Sequence, residues 1–390
     1  MKLLMLSGDR QTATGEQGPF WHMQREFSRW FERIDVLSPK PDGEPRLERV
    51  FDRVHLHPAE VGRAGMLRYL KRRGAELIGE HRHDLIVSHD YGWFYNGLAA
   101  AALTRRTGVP YLSEIHHVPG FPVAADRRER LDRRIARTYV RWARDKAKAF
   151  RVVNRGQMPG LLESWGVPRE QIVVLPSLYM DLELFQPDAA ARPERDLLFV
   201  GRLVNNKGLD RIVEALDLLG RTGQSLRLTL LGRGPFKANV EADVARRGLQ
   251  GQVEFLDWVD TGEDLARLYR SSRAVICAST CEGGPRFTVE AMACGVPVVS
   301  TPVGVMPDLL EQGGGLLCDF TAEGLARSIG ELLGDEDRRA ARGAEARRLA
   351  EDYEYAAILG GYARGLHDLV GLPPERRAPA ADAQLPEGVQ

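Results

Sequence analysis

The stretch AVICASTCEGGPRFTVEAMACGVPVVST, residues 274–301, passes from one kind of local structure to another within a few residues. Its apolar start, AVICAS, is typical of a buried strand, and FTVEAMACG is typical of a helix that ends at Gly295. Between the two, Gly283 and Gly284 form a turn that leaves backbone N–H groups uncovered at the helix start. This order predicts one βα unit of a parallel sheet.

The same turn has the properties of an anion site. A helix N-terminus carries partial positive charge, so the turn suits a diphosphate. Glu282 stands just before the helix and Glu290 lies one to two turns into it, so the two carboxylates can accept hydrogen bonds from two different polyols, such as a sugar and a ribose. A simple capping turn followed by an exposed glutamate explains the same pattern, and both interpretations stay open at this point.

Alternation of apolar runs with amphipathic stretches extends over most of the chain. Parallel strands with helical crossovers are expected from such a pattern, hence doubly wound α/β sheets. The Pro- and Ala-rich segment 186–195 interrupts it and predicts a linker between two α/β domains, at 1–185 and 195–352. Residues 320–371 have a helical pattern, and the Pro/Ala-rich residues 372–390 are expected to be disordered. The expected strands are KLLMLS, IDVLS, DLIVSH, VPYLSEIH, FRVVN and IVVLPS in the first domain, then DLLFVGRL, LRLTLLGRG, VEFLDW, AVICAS, VPVVST and GLLCD in the second.

A second motif, GRLVNNKG at 201–208, supplies cations. Arg202 stands at the end of the strand DLLFVG, and Lys207 follows five residues later, just before a predicted helix. Both are expected at the carboxyl edge of the sheet, where open α/β sheets bind ligands. Arginine binds phosphate in a bidentate manner and lysine adds a point charge, although a polar loop without a ligand has the same composition.

Several classes of protein are disfavoured. Neither GxGxxG nor GxxxxGK[ST] occurs in the expected context, which argues against a dinucleotide dehydrogenase and a P-loop NTPase. The apolar runs are too short to span a bilayer and no signal peptide is evident, so we expect a cytoplasmic protein. The cysteines lie in or beside apolar segments without CxxC spacing and are expected to be buried, reduced thiols; they are Cys277, Cys281, Cys294 and Cys318.

The net charge of zero hides an asymmetry between the two halves. Residues 1–180 hold 30 Lys and Arg against 21 Asp and Glu, whereas residues 181–390 hold 24 against 33. The basic excess is concentrated in 63–73 and 127–148. These stretches are either solvated helix faces or a basic surface for anionic lipid or an anionic acceptor.

The second basic stretch also carries apolar residues at helical spacing. Leu131, Ile135, Tyr139 and Trp142 are spaced three or four residues apart, and Phe150 lies beyond them. The spacing fits a helix packed on the sheet and a helix lying on a membrane equally well. We expect the aromatic residues to pack in the core and the arginines to remain free.

Together the motifs resemble those of the family-4 retaining glycosyltransferases. The resemblance rests on GR-x4-KG, on E-x7-E with AMACGVPVV after it, and on the GxGP turn at 232–235. It implies that the C-terminal domain binds a nucleotide-diphosphate sugar, with Glu282 as a catalytic-site residue near the transferred sugar. The implied donor-binding residues are Arg202, Lys207, Gly232, Gly234, Gly283, Gly284, Pro285, Arg286, Phe287 and Glu290.

The N-terminal half resembles the acceptor domain of the same family. The strand VPYLSEIHH is similar to the one that ends in the family's cleft histidine, which implies a catalytic His116, with His117 and His89 as weaker candidates. Gly18 is the implied acceptor-loop glycine, although Gln17 replaces the glycine usual before it. Within the E-x7-E turn, Pro285-Arg286 replaces the commoner Gly-Leu, a difference that bears on which sugar is recognised.

The resemblance implies a GT-B fold, in which two Rossmann-like domains face each other across a cleft and the last helix, within 353–371, returns to the first domain. It further implies sugar transfer with retention of anomeric configuration, without a metal or other cofactor, to a glycan, a lipid-linked or a small-molecule acceptor. We expect no nucleic-acid partner, and peripheral contact with the inner face of an anionic membrane is an open possibility. The alternatives are a non-hydrolysing nucleotide-sugar epimerase and a nucleotide-sugar-binding protein without turnover.

Overall fold

The computed structural model describes residues 1–378 and contains two α/β domains, each built on its own parallel sheet. The predicted fold class is therefore confirmed. Apolar strands are buried in both sheets because helices cover both faces, as expected for near-continuous hydrophobic runs.

The first domain has an eight-stranded sheet in the order β3-β4-β2-β1-β5-β6-β7-β8. All its neighbouring strands are parallel except β3 and β4, which pair antiparallel at one edge. The strands are β1 (Lys2–Leu6), β2 (Arg33–Ser38), β3 (Arg49–Val50), β4 (Val54–Pro58), β5 (Leu85–His89), β6 (Tyr111–Glu114), β7 (Ala149–Val152) and β8 (Ile172–Val174). The helices are α1 (Pro19–Phe27), α2 (Arg63–His81), α3 (Tyr95–Thr107), α4 (Arg127–Ala143) and α5 (Met158–Ser164).

The second domain has a six-stranded, entirely parallel sheet in the order β11-β10-β9-β12-β13-β14. Its strands are β9 (Arg195–Val200), β10 (Leu228–Leu231), β11 (Val253–Leu256), β12 (Ser272–Cys277), β13 (Val298–Ser300) and β14 (Gly315–Leu317). Its helices are α6 (Leu209–Arg221), α7 (Lys237–Arg247), α8 (Gly262–Arg270), α9 (Arg286–Ala293), α10 (Met306–Leu310), α11 (Ala322–Leu333) and α12 (Glu336–Glu351).

In each sheet the chain reverses its direction of winding at one point. The first sheet turns between β1 and β5, and the second between β9 and β12. Open α/β sheets bind ligands in the crevice outside the carboxyl ends of the strands at such points. The two sheets therefore offer two crevices, and the cleft between the domains joins them.

The last helix, α13 (Tyr355–Val370), leaves the second domain and packs on the first. Leu359, Tyr362 and Leu366 are buried together with α1 and with strands of the first sheet. Residues 372–378, within the tail expected to be disordered, also make contacts there, since Arg376 forms an ion pair with Glu26. The remaining part of that predicted tail, 379–390, lies outside the described residues.

The apolar side of α4 corrects part of the sequence-based expectation. Tyr139 is buried as expected, and so is Phe150, which lies on β7. Trp142 and Leu131, however, are 39% and 56% exposed. The sheet is covered by the adjacent stripe Ala136, Tyr139, Val140 and Ala143, and this narrow stripe leaves the outer apolar residues in solvent. Within residues 1–378, no helix has the length and apolar character needed to cross a membrane.

Removing buried bulk from α13 tests its packing on the first domain. Leu359→Ala leaves a cavity at a fully buried position and should lower the free energy of unfolding by about 2–5 kcal/mol. Leu131→Ala makes the same chemical change at an exposed helix position and should stay within about 0.5 kcal/mol of the parent protein. Urea unfolding followed by far-UV circular dichroism measures both, and equal losses would contradict the packing.

A buried carboxyl group, that of Asp90, follows β5. It accepts hydrogen bonds from the hydroxyls of Ser88 at 2.7 Å, Ser113 at 2.5 Å and Tyr139 at 2.6 Å. Burial raises the pKa of Asp90 to about 7, although the three hydroxyls act in the opposite direction. In the native protein this group therefore holds a proton over a pH range in which an unfolded aspartate has lost it.

Asp90 should consequently make stability fall as pH rises from about 4 to about 7, because the folded state binds the extra proton. By linkage the upper limit of this contribution is about 4 kcal/mol. Asp90→Asn should flatten the pH dependence of the unfolding free energy over this interval, whereas Asp145→Asn, at an exposed position, should leave it unchanged. Identical pH profiles for Asp90→Asn and the parent would refute the assignment.

Candidate active site between the two domains

The switch point of the second sheet brings the two predicted donor motifs together. The loop after β9 carries Arg202 and Lys207, and the turn after β12 carries Glu282. The backbone N–H of Thr280 donates to the carbonyl of Asn206 at 2.9 Å, which fixes one loop to the other. Gly208, at φ +66°, lets the first loop enter α6 where a Cβ would lie 2.2 Å from the carbonyl oxygen of Ala278.

Lys207 and Glu282 form an ion pair at this switch point. The Glu282 Oε1 that meets the Lys207 ammonium also accepts a 2.9 Å hydrogen bond from the Ser279 hydroxyl. Both charged side chains are largely buried, with 14% and 16% of their surfaces exposed. Arg202 is exposed, and its guanidinium has no side-chain partner among residues 1–378. One cation is thus held in place and the other is free to meet an anion.

Glu290 lies on the fifth residue of α9 and is buried rather than exposed. Its Oε2 accepts a 2.8 Å hydrogen bond from the Tyr269 hydroxyl. Burial raises the pKa of this carboxyl, opposed by the Tyr269 hydrogen bond and by the charge of Arg286. The alternative of a solvent-exposed helix glutamate is therefore wrong, since a buried carboxyl needs partners.

Gly232 and Gly234 pack directly against the cation loop. A Cβ on Gly232 would lie 1.9 Å from the Gly201 carbonyl oxygen, and one on Gly234 would lie 2.2 Å from that of Leu203. The Leu203 N–H donates to the Arg233 carbonyl at 2.8 Å. Close backbone contact is what the two glycines permit here, and it holds the Arg202 loop at the sheet edge.

The Gly283–Gly284 turn faces the first domain. A Cβ on Gly283 would lie 2.6 Å from the carbonyl oxygen of His116 and 3.4 Å from Cβ of His117. The amide of Asn154, after β7, donates to the Gly283 carbonyl at 3.4 Å. The turn is thus the place where the two domains come closest around the predicted catalytic histidine.

The residues after the glycines differ in their surroundings. Pro285 caps α9, and its carbonyl accepts the Thr288 hydroxyl at 2.6 Å. Arg286 points to the interdomain segment, where Nη1 donates to the Tyr179 carbonyl at 2.8 Å and the guanidinium lies over the Tyr179 ring. The Phe287 side chain is buried against Phe199, so only its backbone is available to a donor.

His116 belongs to a charge cluster centred on the buried carboxylate of Glu114. His116 Nε2 lies 3.2 Å from Glu114 Oε2, and Arg151 Nη1 donates to the same oxygen at 2.9 Å. The Tyr362 hydroxyl of α13 donates to Oε1, and His89 Nε2 lies 3.4 Å from Oε2. The His116 side chain is 45% exposed, so it is the member of the cluster that reaches the cleft.

The charges around Glu114 decide its protonation state. Burial by itself raises the pKa of this carboxyl, but the charge of Arg151, with His89 when protonated and His116, outweighs burial and holds the pKa well below its usual range. Burial lowers the pKa of His89 to about 4, so that ring is neutral near pH 7. Removing one partner of such a buried charge pair typically costs about 3–5 kcal/mol.

Gly18 is the N-cap of α1, in the loop region that follows β1. Two residues on, the Phe20 ring lies edge-on to His89 with centroids 5.9 Å apart, and the Ser7 hydroxyl lies 3.3 Å from His89 Nδ1. The start of α1 therefore borders the Glu114 cluster, at the switch point of the first sheet.

Several residues of the site belong to no sequence motif and are not predicted from the sequence. Arg151 stands in the strand FRVVN and Tyr362 lies more than two hundred residues further along the chain, so no motif links them. Tyr269 and Ser279, which hold Glu290 and Glu282, are isolated polar residues without a motif of their own. The signal for Arg151 was present, because a charged residue in the middle of an apolar strand needs a buried partner.

Among residues 1–378, no three or more His, Cys, Asp or Glu side chains are grouped so as to hold a metal ion. The acidic pair in Asp181-Leu-Glu183 belongs to a local turn, in which Asp181 Oδ1 accepts the N–H groups of Glu183 and Leu184. All four cysteines are free and buried.

Comparison with known proteins agrees with the motifs in both halves. Residues 19–177 match the model of the glycosyl transferase 4-like domain, and residues 181–349 match that of the glycosyl transferases group 1. The MMP alpha-(1->4)-mannosyltransferase of Mycolicibacterium hassiacum is 26% identical over 403 residues, covering 92% of this chain and 94% of that protein.

Solved structures share the fold. Sucrose-phosphate synthase of Thermosynechococcus elongatus superposes with a TM-score of 0.78 at 20% identity, over 95% of this chain and 99% of its own. Anabaena HepE, solved in complex with UDP-glucose, gives 0.71 at 20% identity, over 94% of this chain and all of its own. With both halves matched by family models and the two-domain fold shared, the chain belongs to the group 1, family-4 glycosyltransferases of GT-B fold.

Proposed function

We propose that this glycosyltransferase takes its sugar from a nucleotide-diphosphate sugar held by the second domain and transfers it with retention of anomeric configuration, without a metal. The observation that carries the proposal is the convergence of Arg202, Lys207 and the start of α9 at the β9–β12 switch point. There, two cations and a helix N-terminus lie at the same edge of the sheet, and this combination suits a diphosphate.

Glu290 is placed for the nucleoside end of the donor. Tyr269 occupies one carboxylate oxygen, and the other accepts no hydrogen bond from residues 1–378. Ribose offers two neighbouring hydroxyls, and a carboxylate oxygen accepts hydrogen bonds from such donors. UDP-glucose bound to HepE, a protein of the same fold, supports a nucleotide sugar as the ligand class.

Sugar transfer from such a donor requires stabilisation of the leaving diphosphate. As the bond between the anomeric carbon and the diphosphate oxygen breaks, negative charge grows on the phosphates and positive charge on the sugar. Lys207 and the N–H groups that begin α9 are held in place, and Arg202 is free to approach the phosphates, so that all three can stabilise the phosphate charge. They supply this without the divalent ion that other phosphate sites use, and Glu282 faces the transferred sugar.

The acceptor enters from the first domain. His116, held by the Glu114 cluster, lies against the Gly283 turn where the sugar end of the donor is expected. The loop before Gly18 borders the same cleft. The acceptor we infer is a glycan or a lipid-linked sugar, whose hydroxyl would attack the anomeric carbon near His116 as the bond to the diphosphate breaks, with its proton passing to the leaving phosphate oxygen.

Two variants test the donor site. Lys207→Met and Glu282→Gln should each lower kcat with a nucleotide-sugar donor by about a hundredfold or more, the loss typical when one preorganised charge-stabilising group is removed. Lys148→Met is the control, since Lys148 is exposed just before β7, at the opposite edge of its sheet, and should keep parental kcat. UDP-, GDP- and ADP-sugars are screened as donors. Each rate is measured with and without a metal chelator, and the chelator should leave the rate unchanged.

Three results would contradict parts of the proposal. Parental kcat in both Lys207→Met and Glu282→Gln would sink the site assignment, and loss of activity on chelation would sink metal independence. Incubation of the enzyme with donor alone separates transfer from epimerisation, because only an epimerase changes the configuration of the free donor sugar.

A further inference from the structure

The outer face of the first domain carries large apolar side chains that no part of residues 1–378 covers. Trp93, in the loop between β5 and α3, is 75% exposed, and Leu98 of α3 lies beside it at 36%. Leu131 and Trp142 of α4 are exposed as well, and Trp142 is an aromatic residue that we expected in the core. Single exposed apolar residues are ordinary, but a contiguous group marks an interaction site.

These side chains belong to one continuous surface. Two shallow depressions of about 410 and 430 Å³ adjoin each other and share Leu98 and Trp142 as lining residues. One lies between α3 and α4 under Trp93, and the other lies between α2, α3 and the end of α4. We call the combined region the α3–α4 surface, defined by Trp93, Leu98, Trp142 and the lining residues Lys71, Arg105, Arg134 and Lys146.

The charge on this surface has one sign. Lys71, Arg105, Arg134 and Lys146 line the depressions, and no aspartate or glutamate does. Lys146 Nζ lies 4.5 Å from the centre of the Trp142 ring and donates to the Trp142 carbonyl at 2.6 Å, which keeps a cation next to the exposed indole. Exposed aromatic side chains surrounded by basic side chains match an interface that is apolar in its interior and anionic at its edge.

We propose that the α3–α4 surface docks the enzyme on a lipid bilayer that contains anionic phospholipid. Tryptophan partitions to the boundary between headgroups and acyl chains, and each lysine or arginine near an anionic surface adds about 1 kcal/mol of attraction. A second copy of this chain is a poor occupant, because four cations would meet four cations. The bilayer complements both the apolar and the charged part.

The placement of the surface ties docking to the cleft. Trp93 follows β5 by four residues, and β5 ends at His89 of the Glu114 cluster. A bilayer reached by Trp93 would therefore lie near the acceptor side of the cleft, which suits an acceptor carried on a lipid. Docking itself stands on the surface residues alone and does not depend on the proposed donor chemistry.

Co-sedimentation with vesicles tests the proposal on the full chain. The protein should pellet with vesicles of phosphatidylcholine that contain phosphatidylglycerol, much less with pure phosphatidylcholine, and less as salt is raised. Neutralising two cations in Arg134→Gln/Lys146→Gln should weaken the apparent affinity about thirtyfold. Pelleting with neither kind of vesicle would overturn the proposal.

The contribution of the exposed tryptophans to vesicle binding is tested with a matched control. Trp93→Ser/Trp142→Ser should abolish the blue shift of tryptophan fluorescence on adding anionic vesicles and reduce pelleting, while Trp258→Ser should change neither. Trp258 is 72% exposed but lies on the second domain after β11, away from the surface. Thermal unfolding and far-UV circular dichroism verify that the variants are folded.

Two results would contradict the docking surface even if the parent protein binds vesicles. One is an equal loss of binding in Trp258→Ser and in the double tryptophan variant. The other is a dimer in sedimentation velocity that Trp93→Ser/Trp142→Ser dissolves, which would make the surface a contact between copies. Loss of donor turnover in Lys207→Met leaves vesicle binding intact, so failure of the proposed function and failure of docking are distinguishable.

Discussion

The buried contact between Glu114 and Arg151 is the interaction on which the cleft depends. It joins two neighbouring strands, β6 and β7, at their carboxyl ends, and both side chains are almost completely buried. A carboxylate in such a place needs partners, and the structure provides them from three further directions: Tyr362 from α13, His89 from β5 and His116 from the cleft. One charge therefore connects the sheet, the returning helix and the histidine that faces the cleft.

From this centre the interdomain geometry follows. His116 is held by Glu114 on one side and abuts the Gly283 turn on the other, where there is no room for a side chain on the glycine. The start of α9 and the Lys207–Glu282 pair are then fixed beside it through the loop contacts at the β9–β12 switch point. The two domains thus meet at a point that backbone packing and one buried charge define.

What could be predicted from the sequence is what is local. The strand, glycine turn and helix at 274–295 are contiguous, so residue types alone place Gly283, Glu282 and the start of α9. The returning helix, by contrast, was anticipated only from family resemblance, and its Tyr362 contact with Glu114 depends on packing across the chain. The sequence does not indicate β3, which has only two residues, or β4, VHLHP, in which histidines interrupt the continuous apolar run that the other strands show.

The exposure of Trp142 was mispredicted for a related reason. Helical spacing shows that α4 has apolar residues at regular intervals, but not how much of the helix the sheet covers. Only the stripe around Tyr139 and Ala143 meets the sheet, and a stripe of that width leaves the neighbouring apolar line free. A periodic pattern specifies a face, and the partner's curvature and size decide how much of it is buried.

Hydrogen–deuterium exchange in the presence of a nucleoside diphosphate tests the central claim most directly, because it reports on backbone N–H groups. On addition of UDP, GDP or ADP, whichever binds, amides of 201–208 and of 282–290 should become protected, while those of α2 should exchange as before. Unchanged exchange in both segments, or protection only in the first domain, would contradict a donor site at the β9–β12 switch point.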